Sequence, residues 1–160
     1  MKIIVTGGAG FIGSHLVDHL LNSGHEVVVI DNLCTGRKEN IERLSGSFEL
    51  CEQDITTEGP WIDYFSDADW VFHLAALADI VPSIENPDAY FKTNIVGTFN
   101  VLNACQSLST HRFIYVASSS SYGIPDAYPT NEKAEIQPQY PYALTKYMGL
   151  FYIIVFFCVL

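Results

Sequence analysis

Basic residues are scarce in this chain. Eight lysines and arginines stand against 18 aspartates and glutamates, a formal net charge of −10. That balance disfavours nucleic acid as a partner, because phosphate contacts draw on clustered Lys and Arg. Cysteine is sparse too. Cys34, Cys51, Cys105 and Cys158 form no CxxC pair and no zinc-ligand spacing. They are expected as reduced thiols, mostly packed in strands and helices, as in a cytoplasmic protein. The first residues lack the charged-then-apolar pattern of a signal peptide, which adds to the expectation of a cytoplasmic location. The terminal apolar run, 150–160, has eleven residues where a bilayer span needs roughly 20, so a membrane is not an expected partner. His15 and His19 stand at i and i+4, but neither a flanking glutamate nor a third ligand accompanies them. No metal is expected there, and both read as ordinary helix residues. There is no internal repeat.

What is present suffices for one domain with a buried core. The chain has 160 residues, 49% hydrophobic and 16% charged. The stretch VTGGAGFIG, residues 5–13, organises the rest. A β-rich run precedes it, and apolar residues at helical spacing follow (Phe11, Ile12, Leu16, Val17, Leu20, Leu21). It therefore reads as strand, glycine turn, helix. Gly7 permits the tight turn, Gly10 lets backbone approach a phosphate, and Gly13 lets the helix lie close to the strand. The free N–H groups at the helix start would face a pyrophosphate. Asp31 ends the next strand, 18 residues after Gly13. A carboxylate there accepts hydrogen bonds from an adenosine ribose and favours NAD over NADP.

Strand and helix patterns alternate along the chain. Strands are predicted at 2–6, 26–30, 47–51, 69–74 and 112–117. Helices are predicted at about 10–23, 38–45, 61–65 and 87–108, and from about 140 onward. Gly24 is placed to stop the first helix; Asn86 and Pro87 suit the start of the long one. Residues 122–140 read as a loop. This alternation implies an α/β protein with a doubly wound parallel sheet of Rossmann type. His73, inside the fourth strand, reads as a buried, hydrogen-bonded group rather than a catalyst.

Tyr142 and Lys146 lie four apart on one helix face. A fixed cation favours a phenolate and lowers the tyrosine pKa toward working pH. Such a tyrosine takes a proton from a substrate hydroxyl. A serine at the end of a preceding strand would orient the same hydroxyl, and residues 118–121 are all serine.

On these motifs the chain resembles the extended short-chain dehydrogenase/reductases, specifically the NAD-dependent nucleotide-sugar epimerase/dehydratase family, UDP-glucose 4-epimerase-like. The matching pieces are TGGAGFIGSHL (6–16), DNLCTGR (31–37), Asp54-Ile55, HLAALA (73–78), SIENPDAYFKTNIVGT (83–98), SSSSYG (118–123) and PYALTK (141–146). The resemblance covers roughly residues 1–149.

The resemblance implies roles residue by residue. Gly7, Gly10 and Gly13, with the backbone of Phe11 and Ile12, would cradle the pyrophosphate. Asp31, with Asn32 beside it, would hold the adenosine ribose. Asp54 and Ile55 would bind the adenine, and Leu74, Ala75 and Ala76 would line the path to the nicotinamide. Asn94 would support the active-site lysine through water. Lys146 would also hold the nicotinamide ribose, next to Tyr142. Ser118 is the implied catalytic serine, five residues before Gly123; Ser119 and Ser120 leave that choice open.

The implied reaction is redox-neutral. Tyr142 removes the sugar 4-hydroxyl proton while hydride passes from C4 to NAD. The 4-keto sugar turns over in the pocket and hydride returns to its other face. The 4,6-dehydratases carry an Asp-Glu pair where this chain has Ser119 and Ser120, and the sugar-nucleotide decarboxylases have a nearby glutamate that is absent here. NADP-linked reductases replace the acidic residue found here as Asp31. The expectation is therefore a 4-epimerase of UDP-linked sugars. Ala78, where some 4-epimerases carry lysine, leaves the sugar open. A non-catalytic NAD-binding module or truncated remnant, or a nucleotide-sugar dehydratase or reductase of the same family, is the alternative.

From Leu150 every residue is apolar (LFYIIVFFCVL) where the family usually continues with glutamate. Residues 1–149 are expected as the NAD-binding domain. Residues 150–160 are expected as a tail outside the family pattern, left by truncation, with further strands and a substrate domain missing. A buried strand or helix end is the other reading of that tail. Little or no turnover is expected of this chain alone. Full-length relatives are often homodimers through helices corresponding to 87–108 and 140–150.

Overall fold

The computed structural model describes residues 1–159; Leu160 and the side chains of Cys158 and Val159 lie outside the description. Five strands form one parallel sheet: β1 (Lys2–Thr6), β2 (Glu26–Ile30), β3 (Phe48–Cys51), β4 (Trp70–His73) and β5 (Arg112–Tyr115). Their order across the sheet is β3-β2-β1-β4-β5. The chain winds outward from β1 to β3, then crosses back to β4. The strand order therefore reverses between β1 and β4, and a crevice opens beyond their carboxyl ends.

The central strands are apolar on both faces, as a sheet covered on both sides requires. Ile3, Ile4 and Val5 are fully buried. One face packs Ile3, Val5, Val27 and Val29 against Val17 and Leu20 of α1 (Phe11–Asn22). The other packs Ile4, Val28 and Val71 against Trp61 and Phe65 of a 3-10 turn (Pro60–Phe65) and against Val101, Ala104 and Cys105 of a later helix. A short α2 (Lys38–Glu42) follows β2.

The long helix expected over 87–108 is resolved into parts. Helix α4 (Pro87–Phe91) is capped by the Asn86 side chain, which accepts from the Ala89 N–H. A π turn (Lys92–Gly97) follows and leads into α5 (Thr98–Ser107). A helix that the sequence did not suggest, α3 (Ile80–Glu85), precedes them. Its start is hidden by Pro82 and by Asp79, whose backbone takes a left-handed φ of +82°. Ser118 caps a 3-10 turn (Ser119–Tyr122) that holds the other three serines.

The last helix, α6 (Pro141–Val159), runs through Gly149 into the apolar tail without a break. Among the described residues the tail is helical but not buried. Ile153 is packed, whereas Phe151, Ile154, Val155 and Phe157 are exposed. The reading of a buried segment is corrected to that extent, because among the described residues no further layer lies over this end of the helix. Cys51 and Cys105 are buried thiols, as expected, and Cys34 is exposed. No helix among the described residues is long and apolar enough to cross a membrane.

Candidate functional site

The crevice begins where β1 ends. Gly7 has φ +72°, and a β-carbon there would stand 2.6 Å from Ala75 N. A β-carbon on Gly13 would stand 2.1 Å from Gly7 O, so only glycine lets α1 start this close to the strand. Gly10 precedes α1 and offers no side-chain cap. The first N–H groups of the helix thus stay available to an anion, with the side chains of Phe11 and Ile12 turned to solvent.

Asp31 follows β2 and is buried. Its Oδ2 accepts the Ala9 N–H at 2.9 Å and its Oδ1 the Leu33 N–H at 2.8 Å. The carboxylate is thereby fixed, with lone pairs left for further donors. Asn32 Nδ2 donates to Asp54 Oδ2 at 3.1 Å, and Asp54 Oδ1 accepts the Thr56 N–H at 2.8 Å. Burial alone would raise the Asp54 pKa; the bonds from Thr56 and Asn32 outweigh it and hold the carboxyl below its ordinary range.

These pieces share one cleft. Of the residues expected to hold a dinucleotide, Gly7, Gly10, Asp31, Asn32, Asp54, Ile55, Leu74, Ala75 and Ala76 all line it. Sequence reasoning missed Cys34, Thr35, Gly36, Gln53, Leu77 and Thr93, which line it as well. Thr35 and Gly36 were within reach of inference, since they follow Asp31 in the same loop; Thr93 is brought in by the π turn. Gly36 leaves room for Asp31, whose Oδ1 would lie 2.8 Å from a β-carbon there.

The remaining candidates gather on the neighbouring elements. Helix α6 packs against the π turn and against the serine turn. Ser118 Oγ and Ser120 Oγ are 2.6 Å apart, and the Ser120 N–H reaches Ser118 Oγ at 3.3 Å. Ser119 is exposed, while Ser121 is buried with no partner for its hydroxyl. The Tyr142 ring meets the Tyr90 ring edge to face at 6.4 Å. Lys146 is only 4% exposed, and its Nζ lies 4.3 Å from the centre of the Tyr115 ring. Burial brings the Lys146 pKa down to about 8. The Tyr115 hydroxyl donates to Lys146 O at 3.3 Å, and it would lie 2.7 Å from a β-carbon on Gly149.

Asn94 joins the two groups. Its Oδ1 accepts the Leu77 N–H at 2.8 Å, while Nδ2 donates to Leu77 O and to Thr145 Oγ1, each at 3.0 Å. Expected to reach the lysine through water, it here bonds directly to the residue before Lys146. A single π turn carrying a functional side chain is a recurrent arrangement. Among the described residues no cluster of His, Cys, Asp or Glu is arranged to hold a metal.

A parallel sheet with a glycine turn, an acidic residue closing β2 and a cleft at the strand-order reversal defines a Rossmann-type dinucleotide-binding protein. The model of the NAD dependent epimerase/dehydratase family matches residues 3–155, and the chain belongs to that family. It is 38% identical over 159 residues to the UDP-glucose 4-epimerase of Mycolicibacterium smegmatis, covering 96% of this chain and 50% of the relative. It is 42% identical over 134 residues to UDP-glucuronic acid decarboxylase 1 of Arabidopsis thaliana, covering 82% and 29%. Among solved structures, the UDP-glucose 4-epimerase of Stenotrophomonas maltophila with bound NAD and formylated UDP-arabinopyranose superposes with a TM-score of 0.92. That match has 31% identity and covers 98% of this chain and 48% of that one. The chain spans about half the length of the 4-epimerases it matches, and the family is NAD-dependent.

Proposed function

We propose that this chain is the cofactor-binding half of an NAD-dependent 4-epimerase of UDP-linked sugars. Residues 1–149 would form the NAD-binding unit, with the apolar 150–160 segment as a tail outside it. The observation that carries the reading is the shared cleft: the glycine turn, a fixed Asp31 and the Asp54–Ile55 corner face the wall formed by Leu74, Ala75 and Ala76.

The cleft residues fit the cofactor. Gly10 leaves open space beside the cleft, where a β-carbon would have only Gly7 O near it, and Asp31 retains lone pairs for the two ribose hydroxyls. An NADP 2′-phosphate would meet that buried carboxylate and be repelled. Bound NAD supplies the hydride acceptor, and later donor, for C4 of the sugar. Tyr142 takes and returns the 4-hydroxyl proton, Ser118 orients that hydroxyl, and the Lys146 cation favours the phenolate.

Ser119 and Ser120 stand where dehydratases carry their acid pair, so those two positions supply no acid to expel water from the sugar. The same absence of a nearby glutamate separates the chain from the decarboxylases it resembles. Exposed Phe91, Phe99, Leu144, Met148 and Phe151 support pairing of two copies through α4, α5 and α6. A cytoplasmic location and a role in supplying polysaccharide precursors accompany the reading.

Two measurements test it. Calorimetric titration of the chain is expected to give NAD binding at least tenfold tighter than NADP. Equal or tighter NADP binding, or none of either, would overturn the cofactor assignment. Residues 1–149 can also replace the matching half of the M. smegmatis 4-epimerase. The chimera is expected to interconvert UDP-glucose and its 4-epimer, and to lose this with Tyr142→Phe. Release of carbon dioxide from UDP-glucuronate instead would favour the decarboxylase.

A further inference from the structure

His73 closes β4 and is 1% exposed. Its Nδ1 lies 2.6 Å from Thr6 Oγ1, and its Nε2 lies 2.9 Å from Thr98 Oγ1. The neighbours fix which nitrogen carries the proton. The Thr98 hydroxyl has one hydrogen and gives it to Asn94 O, at 2.7 Å. Thr98 must therefore accept from His73, and Nε2 is the N–H. Nδ1 is then an acceptor, and the Thr6 hydroxyl donates to it. Thr6 Oγ1 in turn accepts the Ala75 N–H at 3.3 Å. A doubly protonated ring would leave Thr6 with no acceptor for its own hydrogen. Burial, and then the Lys146 cation, oppose that state as well and hold the imidazole pKa down at about 3.

The bonds run in one direction, from Ala75 through Thr6, His73 and Thr98 to the carbonyl of Asn94. The Asn94 side chain carries the connection onward to Leu77 and Thr145, and the Thr145 hydroxyl donates to Tyr142 O at 2.9 Å. Ala75 and Leu77 line the dinucleotide cleft; Thr145 stands next to Lys146 on α6. A histidine serving the core alone needs two partners, but not partners that lead from the cofactor wall to the helix bearing the proton-transfer pair.

We propose that neutral His73, locked as the Nε2–H tautomer, is a positioning residue that couples the cofactor wall at 74–77 to the helix of Tyr142 and Lys146 through the π turn. This rests on the reading of those two side chains as the proton-transfer pair.

The tautomer is testable on the unmodified chain. Long-range proton–nitrogen NMR of the ¹⁵N-labelled protein is expected to show His73 with a protonated Nε2 and a bare Nδ1 from pH 5 to 9. A protonated Nδ1 at pH 7 would overturn the proposal. The coupling is testable with Thr98→Val, which removes the hydroxyl at nearly constant shape, and Thr98→Ser, which keeps it. The readouts are NAD affinity and the pH titration of the Lys146 ε-methylene signal. Loss of the relay bond is expected to weaken NAD binding by about five- to tenfold with T98V. T98V is also expected to displace the Lys146 titration, whereas T98S stays within about twofold of the parent in affinity and keeps the titration. A folded T98V protein with both readouts unchanged, while the parent binds NAD, would overturn this proposal alone. A parent chain that does not bind NAD would overturn the cofactor reading and this proposal with it.

Discussion

The middle of the sheet and its β5 edge are built differently. Around β1 and β2 the strands are buried on both faces, and the cleft is shaped by backbone: a left-handed Gly7, a crowded Gly13 and an Asp31 held by main-chain N–H groups. Around β5 and α6 the strand is an edge, half-buried, and order comes from side chains: a lysine over a tyrosine ring, an asparagine bonded to a threonine, and paired serine hydroxyls. A backbone-built site tolerates little change and binds one shape. A side-chain-built site can change its chemistry by substitution while the same cofactor stays in place, and the family's mixture of epimerases, dehydratases and decarboxylases fits that division of labour.

The comparison can be broken most forcefully at its rigid end. Gly13→Ala drives a methyl into the Gly7 carbonyl and is expected to destabilise the fold by roughly 3 kcal/mol or more and to abolish NAD binding. Denaturant unfolding with an NAD titration checks both. Survival of NAD binding would show that the turn has slack to shift the Gly7 carbonyl aside.

An effect of opposite sign is expected at the soft end. Lys146 gives up its proton near pH 8 in the fold, against an ordinary value of 10.5. Between those pH values the unfolded chain binds more protons than the folded one, so stability rises with pH across that window. Lys146→Met removes a buried charge. It is expected to gain up to roughly 3 kcal/mol at pH 7 and to lose the rise above pH 8. Chemical denaturation from pH 7 to pH 10.5 reads both, and a destabilised variant at pH 7 would mean that the ring contact outweighs burial.

The smallest effect is the second half of a pair that sharpens the contrast by making one substitution twice. Ile3→Ala, at a position with no exposure, is expected to cost about 2–5 kcal/mol. Ile154→Ala, at a position 51% exposed, is expected to stay within about 0.5 kcal/mol. Comparable losses would mean that the far end of α6 is covered in solution.

Legibility followed the same division. The strands at 2–6 and 26–30 were read to the residue because strands buried on both faces are continuous apolar runs bounded by glycine and acid. The glycine turn and Asp31 were legible because their chemistry needs those residue types. Helix α3 was not, since Pro82 and a left-handed Asp79 resemble a loop. The π turn was not either: its sequence, KTNIVG, has the same apolar spacing as the α-helix around it, and what distinguishes it is the set of tertiary bonds from Asn94 to Leu77 and Thr145 and from Thr98 to His73. Four consecutive serines carry no periodicity, so their short helical turn had no local signal. Thr98, the partner that orients His73, lies 25 residues from it and could be found only in three dimensions.

Gly149 sets how low the last helix can ride over the sheet. With no side chain it lets the Tyr115 phenol slide beneath the helix at the height where Lys146 meets the ring. The spacing that matters in this chain is thus longer than a tyrosine and a lysine four apart; it is Tyr142, Lys146, Gly149. A transplant of the first two onto another helix above an aromatic strand would hoist the ammonium out of its seat unless a bare backbone came along three places further on.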